Sequence, residues 1–543
     1  GLPLGIEVAA SALAKLDLAG LVDRLRAAVP EPLRAVLSTA IERLDPMALR
    51  TLTHLCVFQR SFTRAAATAI LGVPSDGLDE LIDASLVSLD PTPGRYRLLR
   101  PVIALLTPDW RGSREREGVA RAYRDHYAAL ADAWRTEPPG AEALAPEVDE
   151  LLGAAGVGPA DDGHAAILFA LHRGWVLGLV DPEQALAAGA PLAAPATQVA
   201  LMRCHAEVVG LRHPYERACA VLEQASAFAR AHGLDAAAVG VDLEWCLLSM
   251  ASRPAPGVRR TLDACEAALR SLGARSATDG DLAAVALVAR LARARLQLHD
   301  GQEVEAGENL AWVRSRAEAL GDRVTASAAL EHLAMLAGSR GDVAAAVRLL
   351  DDAIALAERA GLTVAALIRR DNRANLLLPD VGRAPQTERE LVALEADTLA
   401  SGLLGLYGSV RLSRAILALD AGDHDAAGAL LADSHALRAR TERVNLLTCA
   451  EGLLGVLAHD RGRRTEAVGH YARAQEHSGY RAGMWAALAA FAQGQSPAAA
   501  AALDPRSGAV ARAAADPGQP RDPAFYQLGW WPALDRILVA PAV

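Results

Sequence analysis

The chain offers few side chains whose types and spacing suit catalysis. Its 55 basic residues include a single lysine, Lys15, and no glycine-rich frame surrounds it. The phosphate-cradling pattern GxxxxGKS or GxxxxGKT is therefore absent, and so are HExxH, GxSxG and a GxGxxG before a helix. We expect no catalytic residue in this chain, no cofactor bound by it, and no metal site.

Two stretches contain histidines that also suit a metal-site interpretation. His164 and His172 lie in one, and Cys204, His205 and His213 lie in the other. Adjacent Cys and His side chains on a helix point in different directions, and none of the six cysteines forms a CxxC pair. We favour packing in a helical core for both stretches, with a metal site as the alternative.

One set of polar side chains recurs at positions that suit ligand binding. The set is Arg295, His299, Glu331, Arg369, Asn372 and Asn375, followed by Ser409. Their sequence columns otherwise hold apolar residues such as Leu291, Met335 and Leu412. This mixture predicts an apolar trough for a small amphipathic inducer or a peptide with a carboxylate, because arginine holds a carboxylate bidentately. The alternative is a set of ordinary solvated residues on a helix face.

Five glycines define the elements that position these residues. Gly301, Gly341, Gly382, Gly422 and Gly462 are 40, 41, 40 and 40 residues apart. A leucine stands five residues before each glycine, and an alanine stands five residues after four of them. Such a period predicts stacked helix–turn–helix units, because one hairpin cannot bury its apolar stripe alone.

The columns resemble those of the tetratricopeptide repeat, although a unit here has about 40 residues and the family unit about 34. The resemblance implies that the first helix of each unit lines the concave surface. Residues 196–281 resemble two further, irregular units. Asn375 replaces a small residue at a helix crossing, so it needs a hydrogen-bond partner there.

Residues 45–110 carry a different pattern. It predicts three helices and then two strands, at 45–58, 61–71, 76–84, 85–89 and 95–99. Asp45 caps the first helix, Ser61-Phe62-Thr63 begins the second, and Pro91 to Gly94 turn the β-hairpin. These elements predict a winged helix. The fold class is therefore all-α, a winged-helix domain followed by an α-solenoid of tetratricopeptide-like hairpins.

The helix at 76–84 is the one that would enter a DNA groove. It carries four carboxylates and no arginine, and the whole chain has a net charge of −10. Phosphate contacts dominate the affinity for DNA, and carboxylates repel phosphates. We therefore expect no direct DNA binding by this chain and interpret the winged helix as an interdomain hinge.

Four motifs occur in an order that resembles a known family. They are Gly1 to Leu4, Leu52 to Phe58, Ala84 to Val87 and Arg95 to Leu99. They resemble the end of the nucleotide-binding core and the winged helix of NB-ARC-type STAND signal-transduction ATPases, most closely the LuxR-like and antibiotic-pathway regulators of actinobacteria. In that family tetratricopeptide repeats follow the winged helix, which is the order seen here.

The resemblance implies that Pro3 lies near the adenine of ATP or ADP in a parent protein whose phosphate-binding half is missing from this chain. The family's His-Asp pair falls at Leu99-Arg100, where neither residue matches. The resemblance therefore implies that this chain is the sensor and regulatory arm of such a protein. The solenoid binds an inducer or a protein partner, and the winged helix relays this to the nucleotide-binding core. The alternative is a free-standing tetratricopeptide scaffold for protein–protein interaction.

The expected organisation is a remnant of the helical subdomain of the core, a winged helix, a helical bridge, a superhelix, and a linker with a C-terminal cap. Their ranges are 1–44, 45–110, 111–195, 196–496 and 497–543. In the last range Trp530 and Trp531 are expected to cover the final repeat, with partner binding as the alternative. No apolar run reaches 18 residues, which predicts no membrane span. The six cysteines show no CxxC pair and no metal spacing, which favours buried thiols in a reducing, cytoplasmic location.

Overall fold

The computed structural model describes residues 31–72, 75–136, 139–187, 194–213, 215–250, 257–273, 280–378, 381–441 and 444–477, with a few residues between 486 and 494. Pro3, Trp530 and Trp531 lie outside the described residues. The chain divides into two compact units. The N-terminal unit comprises residues 1–174 and 184–193, and the repeat unit comprises residues 175–183 and 194–543. In the described ranges no helix is long and apolar enough to cross a membrane.

The N-terminal unit begins with helices interleaved with a small sheet. Its first elements are α1 (Glu31–Glu42), α2 (Pro46–His54), β1 (Phe62–Thr63), α3 (Arg64–Leu71), α4 (Ser75–Asp83), β2 (Val87–Leu89) and β3 (Arg95–Leu98). Asp45 caps α2 by accepting a hydrogen bond from the Ala48 amide at 2.7 Å. Strands β2 and β3 pair antiparallel, with Val87 opposite Leu98, which confirms the predicted hairpin.

The prediction that Ser61-Phe62-Thr63 begins a helix is wrong. Phe62 and Thr63 form β1, which pairs antiparallel with β3 and completes a sheet in the order β1-β3-β2. The helix starts at Arg64, because the Thr63 side chain accepts a hydrogen bond from the Ala66 amide at 3.0 Å and caps α3. Phe62 instead stacks on Phe58, with ring centroids 4.6 Å apart.

Further helices complete this part of the chain. They are α5 (Arg100–Gly112), α6 (Arg116–Thr136), α7 (Ala141–Leu144), α8 (Val148–Ala155), α9 (Asp162–Val176) and α10 (Glu183–Ala187). The buried Glu150 carboxylate of α8 accepts hydrogen bonds from the backbone amides of Gln59, Arg60 and Ser61, at 3.0, 2.7 and 3.1 Å. Residues 45–110 and the helices after them therefore share one core.

The repeat unit is a row of helical hairpins. Their pairs are α11 (Pro195–Arg212) with α12 (Tyr215–Ala231), α13 (Asp235–Ser249) with α14 (Val258–Gly273), α15 (Gly280–His299) with α16 (Glu303–Leu320), α17 (Arg323–Ser339) with α18 (Val343–Arg359), α19 (Thr363–Leu377) with α20 (Ala384–Ala400), α21 (Leu404–Asp420) with α22 (His424–Thr441), and α23 (Val444–Asp460) with α24 (Arg464–His477). The predicted stack, including two irregular hairpins before residue 282, is confirmed.

Glycine and alanine columns explain the hairpins. Gly301, Gly341, Gly422 and Gly462 adopt φ angles of 76, 81, 74 and 73°, the left-handed conformation that ends a first helix. Gly382 differs, because it lies in the short 3-10 turn Val381–Arg383. An alanine stands five residues after each of these four left-handed glycines. All four alanines are fully buried, which lets the two helices of each hairpin approach closely. They are Ala306, Ala346, Ala427 and Ala467.

Candidate functional site

Three of the predicted groove residues meet between neighbouring repeats. Glu331 lies on α17, and Arg369 and Asn372 lie one turn apart on α19. Arg369 Nη2 is 3.2 Å from Glu331 Oε2, and Asn372 Nδ2 donates to Glu331 Oε1 at 2.8 Å. One carboxylate therefore joins two residues of the next first helix.

The other face of α19 is joined to α21 in a similar way. Ser413 Oγ donates to Asn375 Oδ1 at 2.7 Å, so Asn375 has the hydrogen-bond partner that its position requires. Ser409 Oγ donates to Asp371 Oδ2 at 2.9 Å. We call Arg295, Glu331, Arg369, Asp371, Asn372, Asn375, Ser409 and Ser413 the inner polar cluster. The side chain of His299 lies outside the described residues.

The sequence analysis missed two members of the cluster, Ser413 and the acidic Asp371. Asp371 is 5% exposed, and it stands eleven residues before Gly382. The residue eleven before Gly341 is the buried Leu330, but the one eleven before Gly301 is the exposed Arg290, so this column gave no signal that Asp371 is buried. Burial raises the pKa of the Asp371 carboxyl to about 7, while the hydroxyl of Ser409 and the nearby amide of Asn375 lower it.

Arg295, on α15, completes the cluster from the preceding repeat. Burial lowers the pKa of its guanidinium, and the nearby charge of Glu331 raises it. The Tyr215 hydroxyl, at the start of α12, is the other group that acts on it electrostatically. Within the part of the chain that the structure describes, Arg295 forms no hydrogen bond or ion pair. It is the member of the cluster whose charge has no direct contact.

The first hairpin touches a hairpin far along the row. Helix α11 contacts α21, and Arg212 Nη2 at the end of α11 donates to the Gly402 carbonyl oxygen at 3.2 Å. Arg212 also forms an ion pair with Asp181. A Cβ on Gly178 would lie 3.2 Å from Ser401 Oγ, so the backbone of this segment also approaches the turn closely. We call the contacts of 178–183 and 212–213 with the turn at 401–402 the clasp.

The clasp accounts for the histidine-containing stretch in α11. His213 Nε2 lies 2.8 Å from Glu183 Oε1, and Glu183 raises the pKa of His205, while burial lowers it more strongly. Among the described residues no group of three His, Cys, Asp or Glu side chains is arranged to hold a metal ion. His213 is a hydrogen-bonding partner of Glu183 in this arrangement.

The N-terminal unit has a separate groove of about 900 Å³. Arg60, Arg97 and Arg100 line it, together with Asp149 and Leu152. Arg60 Nη1 pairs with Asp149 at 3.1 Å. The groove therefore carries more positive than negative charge, and it includes the Leu99-Arg100 position at the end of β3.

The chain is distantly similar to two proteins of known structure. No protein-family model matches the chain, and no curated protein matches it. A STAND protein with a tetratricopeptide repeat sensor from Pyrococcus horikoshii is similar in structure, with 10% identity and a TM-score of 0.43. The likeness covers 82% of this chain and 64% of that one. A circular tandem repeat protein is similar at 13% identity and a TM-score of 0.17, over 91% of this chain and 97% of that one. At these scores neither likeness bears on function.

Proposed function

We propose that this chain is the sensor and regulatory arm of a STAND-type signalling or transcriptional regulator. In this proposal the repeat unit binds an inducer or a protein partner. The N-terminal unit, with a winged helix at 45–110, relays that event to a nucleotide-binding core in the parent protein. ATP or ADP is then a cofactor of the parent core, with Pro3 near its adenine.

The observation that carries the proposal is the inner polar cluster. Polar residues in a buried helix–helix contact cost free energy, and apolar residues of similar size would stack the repeats as well. Here polar side chains recur on α15, α17, α19 and α21, and five of them stand at the columns that the repeat register assigns to the concave surface: Arg295, Glu331, Arg369, Asn372 and Ser409. Binding of a polar ligand is a reason to keep them.

Two features of the N-terminal unit favour a relay over a DNA contact. Glu150 and the ion pair between Arg95 and Glu147 tie α8 to the sheet region, so a displacement of one moves the other. Asp79 of the acidic helix α4 pairs with Arg64, with Nη1 and Oδ2 3.1 Å apart, and α4 has no basic residue. The arginine groove offers a surface for the phosphates of the parent's nucleotide.

The test is a double substitution in the full-length regulator. Arg369→Ala with Asn372→Ala removes both partners of Glu331, and we expect the response of a target-gene reporter in the native host to fall to its uninduced level. Arg370→Ala is the matched control, because Arg370 is exposed on the same helix and pairs with Glu358. An unchanged response in the double variant, with helicity intact by circular dichroism, would reject the proposal.

A free-standing scaffold for protein–protein interaction is the second candidate. The exposed Trp312 on α16 favours it, because aromatic residues are common at the centre of protein interfaces, and Arg290 lies over its ring at 4.1 Å. A scaffold would work without a nucleotide-binding core. Loss of partner binding in Trp312→Ala, with a normal response in the Arg369 and Asn372 double variant, would support this candidate.

A further inference from the structure

We propose that the inner polar cluster binds a small organic monoanion with an apolar tail, and that Arg295 binds its charged group. This inference rests on the proposed sensor role of the repeat unit and names the chemical class of its ligand. Three observations carry it: the charge balance of the cluster, the contact that closes over it, and an exposed apolar side chain beside it.

The charge balance favours an anion. Glu331 is occupied by Arg369 and Asn372, at 3.2 and 2.8 Å, and Asp371 is occupied by Ser409. Arg295 has no direct partner in the described part of the chain. Arg295 is half-buried, and a carboxylate that binds its guanidinium bidentately would add charge-assisted hydrogen bonds in a setting partly shielded from water. A neutral or cationic ligand would not.

The clasp favours a small molecule over a peptide. The residues around the turn after α11 interact with two other parts of the repeat unit. Arg212 donates to the Gly402 carbonyl oxygen, and Tyr215, three residues later, acts electrostatically on Arg295. The same hairpin therefore lies beside the cluster and is held against α21. A peptide that runs along the first helices would have to separate α11 from α21. A small molecule leaves that contact in place.

The apolar tail follows from the neighbours of the cluster. Met335 stands one turn after Glu331 on α17 and is 43% exposed, although it lies in a helix of the stack. Leu376 stands one turn after Asn372 on α19 and is half-buried. Methionine adapts its shape to irregular apolar groups, so this position accepts a flexible hydrocarbon chain.

The experiment measures binding of sodium octanoate to the 543-residue chain by isothermal titration calorimetry. Octanamide is the neutral probe of matched shape, and octyltrimethylammonium is the cationic one. We expect octanoate to bind at least about ten-fold more tightly than octanamide, with no binding of the cation. Arg295→Gln should weaken octanoate binding by at least about ten-fold, since it removes a charge-assisted pair. Arg290→Gln, on the same helix and paired with Asn309, should leave it within about two-fold.

Several outcomes would overturn the inference. Equal affinity for octanoate and octanamide would show an apolar site without an anion subsite, and no octanoate binding to the folded chain would reject the ligand class. Binding of a short peptide with a free C-terminus in place of octanoate would also reject it. If Arg295→Gln does not fold, Arg295→Lys keeps the charge and should retain octanoate selectivity over octanamide. A lost reporter response in the Arg369 and Asn372 double variant would preserve the sensor role through each of these failures.

Discussion

Asp371 shows what a single residue contributes to the repeat unit. Its carboxyl is buried between α19 and α21, where Ser409 donates to Oδ2 while Oδ1 has no hydrogen-bond partner among the described residues. Burial without a cation raises the pKa of this carboxyl to about 7. Near neutral pH the group is therefore only partly charged, and the positive charge of Arg295 is not offset from this side.

The pKa of Asp371 predicts how stability depends on pH. A carboxyl whose pKa is raised on folding favours the protonated state, so its contribution to stability is present near pH 4 and is lost as the pH rises to about 7. A rise of this pKa from 3.8 to about 7 corresponds to a loss of about 4 kcal/mol in the free energy of unfolding. We expect Asp371→Asn to abolish this loss, so that the urea midpoint of the variant changes less than that of the wild type between pH 4 and 7.

The control for this prediction is Asp352→Asn, which changes an exposed carboxyl on α18. It should follow the wild-type pH profile. Identical pH profiles for the wild type and Asp371→Asn would show that this carboxyl has the same pKa in the folded and the unfolded chain, contrary to our account.

At the scale of a residue, aligning the repeats on their turn glycines predicted some of the polar contacts in the inner polar cluster. The need of Asn375 for a partner was foreseen, because an amide at a crossing of small residues cannot stay unpaired. The meeting of Glu331 with Arg369 and Asn372 followed from the shared register. Asp371 was missed because its column mixes exposed and buried residues, Arg290 and Leu330 among them, so the period does not tell a buried acid from a surface acid.

At the scale of an element, Glu150 explains how α8 is fixed. Its carboxylate receives three successive backbone amides from residues 59–61 and, from Tyr123, a hydroxyl at 2.9 Å. Burial raises the pKa of this carboxyl, and the amide hydrogen bonds lower it. The helix is thus attached through the carboxylate, which requires a close approach of α8 to the chain at Gln59.

Gly153 permits that approach. A Cβ at this position would lie 2.5 Å from Gln59 Cγ and 2.7 Å from Tyr123 Oη. We expect Gly153→Ala to lower the free energy of unfolding by about 1–3 kcal/mol, because the crowded side chains must shift. Urea unfolding followed by circular dichroism measures this change.

Gly118→Ala is the matched control, because Gly118 lies in α6 with no atom within 4 Å of the added Cβ. Alanine is the better helix former, so this variant should be neutral or more stable by up to about 1 kcal/mol. Equal effects of the two substitutions would mean that α8 does not pack against Gln59 as closely as described.

Helix ends were predictable where the residue type strongly favours one backbone conformation, as glycine favours the left-handed conformation at a helix C-terminus. Four of the five turn glycines adopt the left-handed conformation, as a glycine that ends a helix does. Gly382 does not. The helical backbone conformation of α19 continues to Leu378, and Gly382 then lies in the 3-10 turn Val381–Arg383. Strand β1 was missed because two residues are too few to show alternation, and its pairing partner lies more than thirty residues away.

Arginine side chains link the elements of the stack. Arg373 on α19 pairs with Asp351 on α18 at 2.6 Å and with Glu390 on α20 at 2.7 Å. Arg340 and Arg461 each stand directly before a turn glycine. Arg340 donates to the backbone carbonyl of Glu303, and Arg461 donates to that of His424, so each reaches the turn of the preceding hairpin. The planar, many-donor guanidinium suits such bridging, which a lysine does not reproduce.

At the scale of the whole molecule, the chain is made of two units whose boundary lies near residues 174–194. The repeat stack was predictable because its period recurs over five units. The clasp was not, because a contact between residues about 190 apart depends on the curvature accumulated over several repeats. Curvature follows from small packing differences at each interface and leaves no local signature in the sequence.

The absence of a phosphate-binding loop predicts the behaviour of the whole chain toward nucleotide. Without glycine-framed amides and a lysine to hold the phosphates, we expect no ATPase activity and no tight ATP binding by these 543 residues. Calorimetric titration with ATP and magnesium should give no heat of binding. Micromolar affinity in this titration would contradict the expectation and would direct attention to the arginine groove.

The central claim is that the repeat unit senses its ligand at the inner polar cluster. Hydrogen–deuterium exchange of the 543-residue chain with and without sodium octanoate tests it most directly, because exchange reports where binding acts. We expect octanoate to slow exchange in α15, α17, α19 and the turn at 401–402, and to leave exchange in residues 45–110 unchanged. In the Arg295→Gln variant, octanoate should not change the exchange of any of these segments. Octanoate that binds yet protects only the N-terminal unit, or protects Arg295→Gln equally, would contradict it.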